Sequence, residues 1–535
     1  METKIYRITD TNKQKNEIEE IASLIKQGEA VAIPTETVYG IAADCFNEKA
    51  VGKIFEAKGR PSDNPLIVHI SEADQIYSLV KEVPEKAKEL FRRYWPGPLT
   101  VILPKKDTVS DRVSGGLPTV AVRMPSHPVA KAIIEAAGVP LAAPSANISG
   151  FPSPTSPEYV IDDMTGRLPA IADGGECDIG IESTVITLAT EPPVLLRPGA
   201  VTYEQLTEVL GEVIIHNAVL KPLEKGTTAS SPGMKYKHYS PTAKLIVLDG
   251  DKDEFGAFIN KYPHFADHVL CFEGEENSFS LPAVTFGKED DPFSQARRLF
   301  DAFRELDALG AKKVLVRSPS QKGVGLGVCN RLYRAAGFSR IKPGEGIIIG
   351  LTGESGAGKS TVSGMLREKG CVIVDADKIA RSITEKGSPV LERLKDAFGE
   401  DILNDDKTLN RRLLASRAFI SDENKRLLDS ITHPAIISLC KEKAEKASQS
   451  GKCVIIDAPL LFTSGLDSLC HKTAKVTAPE EIRIERLKKR DNITEEEILL
   501  RFSKQTEETE KSKNADIIIN NFPPYNTEDE INKIF

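Results

Sequence analysis

The sequence contains no long hydrophobic run. Of its 535 residues, 40% are hydrophobic and 28% are charged, an ordinary composition for a globular protein. No stretch approaches the roughly 18 consecutive apolar residues that a membrane-spanning helix needs. The first twenty residues are charged and lack the apolar core of a signal peptide. We therefore expect a cytoplasmic protein that does not associate with membranes.

Closely spaced cysteine pairs and an excess of basic residues are also lacking. The eight cysteines are scattered, and no two form a Cys-x-x-Cys pair, which favours buried thiols over disulfides or a zinc site. The net charge is −8, divided into −6 before residue 347 and −2 from there on. Nucleic-acid binders usually carry clustered Lys and Arg. We therefore expect no strong direct binding of nucleic acid, and we expect functional cations in local pockets for small anions.

Apolar patterning divides the chain into four segments. Residues 1–216 alternate amphipathic helical periods with short apolar runs bounded by Pro or Gly, which is an α/β pattern. Residues 217–243 contain many Pro, Gly and small polar residues and are predicted to form a linker. Residues 244–341 resume the alternation as a small α/β domain. A further predicted strand, after a short boundary, opens a C-terminal domain over 347–535.

A glycine-rich loop opens the C-terminal domain. Gly353, four residues, and then Gly358-Lys359-Ser360 follow a predicted strand and precede a predicted helix. Glycines let successive backbone N–H groups point at phosphate oxygens, and the helix N-terminus adds positive charge. The pattern predicts ATP contacts from Gly356, Ala357, Gly358, Lys359, Ser360 and Thr361. Lys359 would act on the phosphates, and the Ser360 hydroxyl would hold Mg²⁺.

Two carboxylates, Asp375 and Asp377, stand at the end of the next predicted strand. Ligands of open parallel sheets bind at the carboxyl ends of strands. A carboxylate at this edge can accept the proton of an attacking hydroxyl, as a kinase requires. The alternative is that the pair only caps the helix that follows.

Residues 347–535 resemble dephospho-CoA kinase. Besides the loop, the resemblance rests on four motifs in order: DADKIAR (375–381), THPAI (432–436), IIDAPLLF (455–462) and RLKKRDNITEEEILLRFSKQ (486–505). It implies a C-terminal P-loop kinase domain with a parallel sheet, in which Asp377 is the base for the ribose 3′-hydroxyl of dephospho-CoA. The acceptor site would include Asp375, Arg381 and His433, and the lid and phosphate contacts would be Arg486, Arg490 and Arg501.

An arginine-rich helix also suits a lid on its own terms, because it neutralises a triphosphate and excludes water. A solvated charged helix is the alternative for each of these arginines. Two positions depart from the family pattern. Glu354 places a carboxylate beside the anion site, and Thr463 stands where the family usually has Glu.

In residues 1–216, chemistry-bearing residues cluster in Pro- or Gly-bounded segments at the ends of predicted strands. The segments are PTETVYG (34–40), KGRPSDNPLIVHI (58–70), WPGPLT (95–100), AVRMPSHP (121–128), APSANISG (143–150), IESTVI (181–186) and LLRPGA (195–200). The cations Lys58, Arg60, Arg123 and Arg197 come from these loops or their edges and would form a polyanion pocket if they converge. Four unrelated surface cations are the alternative. This region contains no metal-ligand cluster and no Gly-x-Ser-x-Gly nucleophile motif.

The same segments resemble threonylcarbamoyl-AMP synthase of the YrdC type. Two further stretches, SPGMKYKHYSP (231–241) and GVGLGVCNRLYRAA (323–336), resemble the longer, two-domain form. The resemblance implies a YrdC-like twisted α/β sheet domain followed by a small Rossmann-like domain. It implies that L-threonine, bicarbonate and ATP form threonylcarbamoyl-AMP, which a separate transferase complex uses to modify tRNA.

The resemblance also implies roles for individual residues. Lys58, Arg60 and Arg197 suit the phosphates, with Lys58 and Arg60 as catalytic groups, and Arg123 suits the threonine carboxylate. Short polar groups would recognise the substrate and the adenosine by hydrogen bonds: Thr37, Asn64, His69, Ser145, Asn147 and Ser183. Residues 231–241 are predicted to form a lid over this pocket, with a flexible tether as the alternative.

The sequence also allows other interpretations of the two halves. The N-terminal region could be an RNA-binding module, which its net charge of −6 disfavours. The C-terminal domain could be a P-loop kinase for another nucleoside or nucleotide, which DADKIAR and THPAI disfavour. A third possibility, that one half is a degenerate structural domain, is disfavoured by the nearly intact motifs.

Overall fold

The computed structural model describes residues 1–59, 64–222, 239–503 and 505–535. These residues form three sheets distributed over two compact units. One unit comprises residues 1–256 and 266–340, and the other comprises residues 257–265 and 341–535. The predicted small α/β domain therefore has its own sheet but belongs mostly to the same unit as the N-terminal sheet. No helix among the described residues is long and apolar enough to span a membrane.

The first sheet is mixed and has the strand order β1-β8-β2-β3-β7-β4-β6-β5-β9-β10-β11. Its strands are β1 (Lys4–Arg7), β2 (Val31–Ile33), β3 (Gly40–Asp44), β4 (Ile67–His69), β5 (Leu99–Pro104), β6 (Thr119–Arg123), β7 (Leu141–Ala142), β8 (Ala170–Asp173), β9 (Thr184–Thr187), β10 (Val194–Arg197) and β11 (Ile214–Ile215). The helices of this region are α1 (Lys15–Lys26), α2 (Glu48–Lys58), α3 (Glu85–Tyr94), α4 (Asp111–Ser114), α5 (Pro128–Ala137), α6 (Pro157–Met164) and α7 (Tyr203–Leu210).

Helix α2 shows how local sequence delivers a side chain to the site. The Asn47 side chain accepts hydrogen bonds from the backbone N–H groups of Lys49 and Ala50 and begins the helix. Gly59 ends it in the left-handed region at φ +62°, where a glycine meets no Cβ penalty. Lys58 is the last helical residue and is buried. The cap thus determines where the lysine leaves the helix.

The second sheet has the order β14-β13-β15-β12-β16. Its strands are β12 (Lys244–Leu248), β13 (His268–Cys271), β14 (Ala283–Thr285), β15 (Lys313–Arg317) and β16 (Arg340–Ile341), and its helices are α8 (Lys252–Lys261), α9 (Pro292–Ala308) and α10 (Gly325–Ala335). The hydrophobic core under α9 and α10 also contains Val38, Ile181 and Tyr239, which come from the N-terminal region and the linker. This shared core explains why the two sheets form one unit.

The third sheet is parallel throughout, with the order β18-β19-β17-β20-β21. Its strands are β17 (Ile348–Gly353), β18 (Val372–Asp375), β19 (Val454–Asp457), β20 (Lys472–Thr477) and β21 (Ile517–Asn520). The helices are α11 (Lys359–Glu368), α12 (Ala376–Ser382), α13 (Pro389–Phe398), α14 (Arg411–Ala418), α15 (Asp422–Ser448), α16 (Glu480–Asp491), α17 (Glu495–Ser503), α18 (Thr506–Lys511) and α19 (Thr527–Asn532). The carboxyl ends of β17, β18 and β19 lie side by side, so the loops that follow them share one edge.

Two predicted elements are placed differently by the structure. Asp377 was expected at the end of a strand, but β18 ends at Asp375 and Asp377 lies in the first turn of α12. The predicted linker begins with a short 3₁₀ helix at Asn217–Val219. Most of the predicted lid, residues 231–238, lies outside the described residues, and Tyr239, Ser240 and Pro241 are described.

Candidate active sites

Eight of the predicted synthase residues line one pocket in the first unit: Thr37, Lys58, His69, Arg123, Ser145, Asn147, Ser183 and Arg197. The pocket forms where several strands end, and His69 of β4 lies beside Arg123 of β6 in the parallel register. The four-unrelated-cations alternative is therefore wrong for Lys58, Arg123 and Arg197. Arg60 lies outside the described residues. Asn64 is buried outside this lining, and its side-chain amide has no hydrogen-bond partner among the described residues.

Arg123 is held from three sides. Its Nη1 donates to Thr37 Oγ1 at 2.9 Å, and its Nε donates to the Gly97 carbonyl at 3.3 Å. Its Nη2 lies 2.7 Å from Glu36 Oε1 in an ion pair of which both partners are buried. Separating this buried ion pair would leave an uncompensated charge, which is energetically costly. The guanidinium of Arg123 is therefore held in one position. Thr37 is itself 2.9 Å from Thr35, which orients its hydroxyl.

Lys58 binds the loop that follows β7. Its ammonium donates to the carbonyl of Ser145, to the Asn147 carbonyl at 2.9 Å and to Asn147 Oδ1 at 3.3 Å. The Ser145 hydroxyl donates to the same Asn147 oxygen at 2.6 Å. An ammonium has three donors, and three oxygens accept them here. The structure thus shows Lys58 organising the Ser-x-Asn loop, and its predicted phosphate contact stays a prediction.

Arg197 and Ser183 form a second fixed pair in the pocket. Arg197 Nε donates to the Ser183 carbonyl at 3.0 Å, and its Nη2 donates to the Ser183 hydroxyl at 3.1 Å. The same hydroxyl lies 2.8 Å from Thr100 Oγ1. Burial lowers the pKa of Arg197, and Arg331 and Arg123 act in the same direction. An arginine stays charged through such a shift, so Arg197 contributes a positive charge to the pocket.

His69 is a neutral group. Burial and then the charge of Arg123 lower the pKa of His69 to about 3. Its Nδ1 lies 3.2 Å from the Ile67 carbonyl. A neutral imidazole can hydrogen-bond a substrate without adding a further positive charge. This behaviour fits the predicted role of His69 in reading a substrate.

The second site begins at the glycine-rich loop. Gly356 and Gly358 have φ values of +83° and +91°, conformations that glycine adopts without a Cβ penalty. A Cβ on Gly358 would stand 2.0 Å from Asn521 Nδ2, so no larger residue fits there without rearrangement. Lys359 and Ser360 follow at the start of α11. The Lys359 ammonium forms an ion pair with Asp457, which ends β19.

Asp375, the last residue of β18, and Asp377, in the first turn of α12, have different local roles. Asp375 caps α12 by accepting the Lys378 N–H at 3.0 Å, as the capping alternative expects. Asp377 does not serve as this cap. Partial burial raises the pKa of Asp377, Asp375 and Asp457 raise it further, and Lys359 and Arg381 oppose the rise. Asp377 therefore lies in the electrostatic neighbourhood of the loop lysine, whereas the acceptor-site role of Asp375 stays a prediction.

The predicted lid arginines separate into two groups. Arg486 contacts the glycine-rich loop, donating to the carbonyls of Gly356 at 3.4 Å and Ala357 at 3.3 Å, and to Asn521 at 2.8 Å. Arg490 and Arg501 lie on the surface, where both bind Asp491 at 2.7 and 3.0 Å. These two ion pairs lower the pKa of Asp491 to about 2. Only Arg486 is brought to the loop in this structure.

The other predicted acceptor residues lie on helices beside this edge. Arg381 is an exposed residue of α12, the helix that carries Asp377. His433 is half-buried on α15, with Nε2 3.4 Å from Asp429 one turn earlier. Helices α12 and α15 pack against each other. The structure therefore places both residues in the helical part of this unit, and their contact with an acceptor stays a prediction.

Both departures from the kinase pattern have local partners. Glu354 is paired with Lys475 at 3.3 Å and Arg483 at 3.1 Å, so its negative charge is compensated. Thr463 donates from its backbone N–H and its hydroxyl to Glu508 at 2.8 and 2.9 Å. Glu508 thus supplies a buried carboxylate beside Thr463. Its other oxygen accepts from Thr352 and Phe462, which ties α18 to the strand before the loop.

Sequence reasoning missed several residues of the two sites. Asp457 was part of a quoted motif, and its position at the end of an apolar run was the available signal. Glu36 and Glu182 likewise stood inside quoted motifs. Tyr239 belongs to the predicted lid, residues 231–241, but no individual role was assigned to it; it lines the pocket, and its ring centroid lies 5.4 Å from that of Phe300. Glu508 carried no signal, because its partners are distant in sequence.

The fold and the two sites define an α/β enzyme with a pocket of convergent cations in one unit and a P-loop phosphotransfer site in the other. Comparison with known proteins agrees. Residues 23–199 match the family described as Telomere recombination (Sua5/YciO/YrdC), residues 201–337 match Threonylcarbamoyl-AMP synthase, C-terminal domain, and residues 347–524 match Dephospho-CoA kinase.

Individual relatives divide the chain in the same way. The threonylcarbamoyl-AMP synthase of Pyrococcus abyssi is 47% identical over 60% of this chain and 94% of its own length. The dephospho-CoA kinase of Corynebacterium efficiens is 44% identical over 33% of this chain and 88% of its own length. The crystal structure of P. abyssi Sua5 complexed with L-threonine aligns with a TM-score of 0.59 and 45% identity, covering 64% of this chain and 99% of that one. The chain belongs to the threonylcarbamoyl-AMP synthase and dephospho-CoA kinase families, as a fusion of the two.

Proposed function

We propose that the chain is a bifunctional enzyme. The first unit forms threonylcarbamoyl-AMP and pyrophosphate from L-threonine, bicarbonate and ATP, and the second unit phosphorylates the ribose 3′-hydroxyl of dephospho-CoA with ATP. The observation that carries the first activity is the convergence of eight predicted polar and cationic residues on one pocket. The observation that carries the second is the ion pair between the loop lysine and Asp457, with Asp377 nearby.

In the synthase reaction, an oxygen of carboxylated threonine attacks the α-phosphorus of ATP, and pyrophosphate leaves with the electrons of the broken P–O bond. The nucleophile belongs to the substrate, so the protein positions two anions and stabilises charge. Arg123, fixed by Thr37 and Glu36, presents its guanidinium to the threonine carboxylate. Arg197 and Lys58 serve the phosphates, with Arg60 as a further cation. The relative crystallised with L-threonine supports threonine as the amino-acid substrate.

The short polar groups supply substrate selection in this proposal. Ser145, Asn147 and Ser183 have hydroxyls or amides already oriented by neighbouring residues, so little entropy is lost when they bind a ligand. His69 contributes a neutral hydrogen-bonding ring. Asn64 stands directly after residues 60–63 and is assigned to the same site on the resemblance alone.

In the kinase reaction, Asp377 accepts the proton of the acceptor hydroxyl as that oxygen attacks the γ-phosphorus and ADP leaves. The raised pKa of Asp377 favours this role, because a base accepts a proton more readily as its pKa approaches the working pH. Lys359 and Arg486 balance charge on the transferring phosphoryl group. Asp375, Arg381 and His433 orient the acceptor.

The donor set at the loop fits Mg²⁺. Mg²⁺ prefers oxygen ligands and is usually held by one or two protein groups, substrate phosphates and water. Ser360 and Asp457 offer a hydroxyl and a carboxylate, and the described residues contain no cluster of three or more His, Cys, Asp or Glu suited to a metal. Bound Mg²⁺ would neutralise negative charge on the nucleotide phosphates.

The proposal also extends to partners and to the linker. Threonylcarbamoyl-AMP would pass to a separate tRNA-modifying transferase complex in the cytoplasm, without strong direct binding of nucleic acid by this chain.

Residues 231–241 would close over the pocket. We expect trypsin to cleave after Lys235 or Lys237 in the free protein and less readily when ATP and threonine are both present. Equal cleavage with and without the ligands would contradict the lid.

The two activities are tested directly on the purified full chain. One assay supplies L-threonine, bicarbonate and ATP and follows pyrophosphate release and threonylcarbamoyl-AMP by mass spectrometry. The other supplies dephospho-CoA and ATP and follows CoA. Omitting threonine should stop only the first product, and omitting dephospho-CoA should stop only the second. Absence of either product in a folded protein would overturn that half of the proposal.

A further inference from the structure

One buried arginine of the second sheet's region reaches two loops of the synthase pocket. Arg331 lies on α10 and is 0% exposed. Its Nε donates to Glu182 Oε2 at 2.9 Å, its Nη2 donates to the Glu182 carbonyl at 2.7 Å, and its Nη1 donates to the Pro198 carbonyl. All three nitrogens of one guanidinium are therefore engaged with the loops before β9 and after β10.

The two loops carry the pocket residues themselves. Ser183 follows Glu182, and Arg197 precedes Pro198. Ser183 and Arg197 bind each other at 3.0 and 3.1 Å and both line the pocket. The Glu182 carbonyl shares a planar peptide unit with the Ser183 nitrogen, so a shift of that carbonyl moves Ser183. The Pro198 carbonyl belongs to the residue that directly follows Arg197, and the proline ring restricts the backbone between them. Arg331 therefore bridges the two strand ends that present this pair.

Close packing supports the same arrangement. Gly327 lies one turn before Arg331 on α10, and a Cβ there would stand 3.1 Å from Gly199 Cα and 3.0 Å from Ile181 Cδ1. The helix thus lies directly on both loops, and a glycine permits the approach. Glu182 also accepts the Ser153 hydroxyl at 2.5 Å. Each carboxylate oxygen of Glu182 therefore accepts a hydrogen bond from another part of the chain, which suits this side chain to holding the loops.

We infer that Arg331 is a positioning residue of the synthase pocket, through which the small α/β domain forms part of the wall that binds ATP. The inference rests on the proposed function, because it assigns Arg197 and Ser183 to the nucleotide side of the pocket. The inference does not extend to the part of the pocket formed by Arg123 and Thr37, because Arg331 makes no contact with those residues.

Arg331→Lys tests the inference, because lysine keeps the charge but cannot reproduce three directed contacts from a planar fork. Arg317→Lys is the matched control. Arg317 is a 1% exposed arginine of the same small domain, and it binds Glu275 and Glu289 away from the pocket. Pyrophosphate release is measured on the full chain against ATP and against threonine, together with thermal unfolding and CoA formation.

We expect Arg331→Lys to raise the KM for ATP by about 10- to 100-fold, the order seen when a remote change misplaces reacting groups by about 1 Å. The KM for threonine and the rate of CoA formation should stay within about threefold of wild type, because the threonine site and the kinase site do not depend on the contacts of Arg331. Arg317→Lys should lower thermal stability without changing either KM. An unchanged KM for ATP, or an equal rise for both substrates, would overturn the inference.

Two further variants make the result decisive. Gly327→Ala adds only a methyl group between α10 and the loops, and it should also raise the KM for ATP; it decides the question if Arg331→Lys fails to fold. Ser183→Ala combined with Arg331→Lys should give a smaller loss of kcat/KM than the product of the single losses, because both act through one wall. Additive losses would mean a purely structural role. If wild type itself forms no threonylcarbamoyl-AMP, the proposed function fails instead.

Discussion

The two sites use positive charge in different ways. In the synthase pocket, Lys58, Arg123 and Arg197 are 3%, 3% and 6% exposed and are hydrogen-bonded to the surrounding loops. In the kinase unit, the side chains of Arg490 and Arg501 are 57% and 46% exposed and share one aspartate on the surface. The cations of the first site are therefore held in place by the protein itself, whereas the outer arginines predicted for the second site lie on the surface and are paired with Asp491.

This difference indicates how each site should respond to substitution. Conservative changes in the synthase pocket should be severe, since each cation is held by several partners. Conservative changes of the outer kinase arginines should be mild, whereas residues at the loop itself should be indispensable. Four experiments test this comparison, from the largest expected effect to the smallest.

Lys359→Ala should abolish CoA formation and leave threonylcarbamoyl-AMP formation intact. The lysine begins α11 behind the glycine-rich loop and pairs with Asp457, so its loss removes the charge that balances the phosphates. Both products are measured on the same preparation, with thermal unfolding as the control for folding. Parallel loss of both activities in a folded protein would contradict two independent sites.

Asp377→Asn should lower the turnover of CoA formation by about 10²–10⁴-fold, the usual contribution of a general base. ATP binding should change little, because Asp377 lies on α12 rather than in the glycine-rich loop. Turnover and nucleotide affinity are measured separately. Asp375→Asn serves as the comparison, since it alters the α12 cap and the proposed acceptor site but not the proposed base, and it should raise the KM for dephospho-CoA more than it lowers turnover. Weaker ATP binding with normal turnover would assign Asp377 to a metal or structural role.

Arg123→Lys should raise the KM for threonine by about 10- to 100-fold, because lysine cannot make a bidentate contact with a carboxylate. Arg490→Lys should change CoA formation by less than about threefold, as expected for an exposed ion pair. Steady-state kinetics on both variants compare the two sites directly. Equal sensitivity of the two arginines would remove the distinction between a fixed pocket and an open lid.

The smallest expected effect is on pH-dependent stability. His69 has a pKa lowered to about 3 in the folded protein, below its ordinary value of 6.5, so the unfolded state binds more protons between these values. The free energy of unfolding should therefore fall as pH falls, with His69 accounting for about 2 kcal/mol between pH 7 and pH 5. Thermal unfolding of His69→Gln should be flatter over this range than wild type. Identical pH profiles would show that His69 is not held neutral.

Much of the fold was predictable because local patterns coincide with the elements. The strand predicted before the glycine-rich loop is β17, Ile348–Gly353, and the helix predicted after the loop is α11, Lys359–Glu368. The glycine-rich loop is recognisable because its glycines have a backbone requirement that no other residue meets. Asp377 was placed on the wrong element, because the last residue of β18 is also the cap of α12 and periodicity does not resolve a one-residue boundary.

The sites were predictable in part. Lys58, Arg123 and Arg197 were predicted because they come from Pro- or Gly-bounded segments at the ends of predicted strands. Their pairing with Asn147, Glu36 and Ser183 became evident only in the structure. The compensation of Glu354 by Lys475 and Arg483 joins residues more than a hundred positions apart. Such pairs leave no local pattern, because long-range packing rather than propensity brings them together.

By itself, the sequence determined the three α/β regions and the phosphate loop, since these depend on periodicity and on backbone conformations that favour glycine. The polar residues of the synthase pocket were predicted from the resemblance of their motifs to a known family. Only the tertiary structure decided that the small α/β domain and the N-terminal sheet share one core, and that Arg331 reaches the loops of Ser183 and Arg197. It also decided which arginines meet the loop of the kinase site. The physical reason is that a buried charge is stable only where other segments of the chain supply its partners, and tertiary packing determines which segments those are.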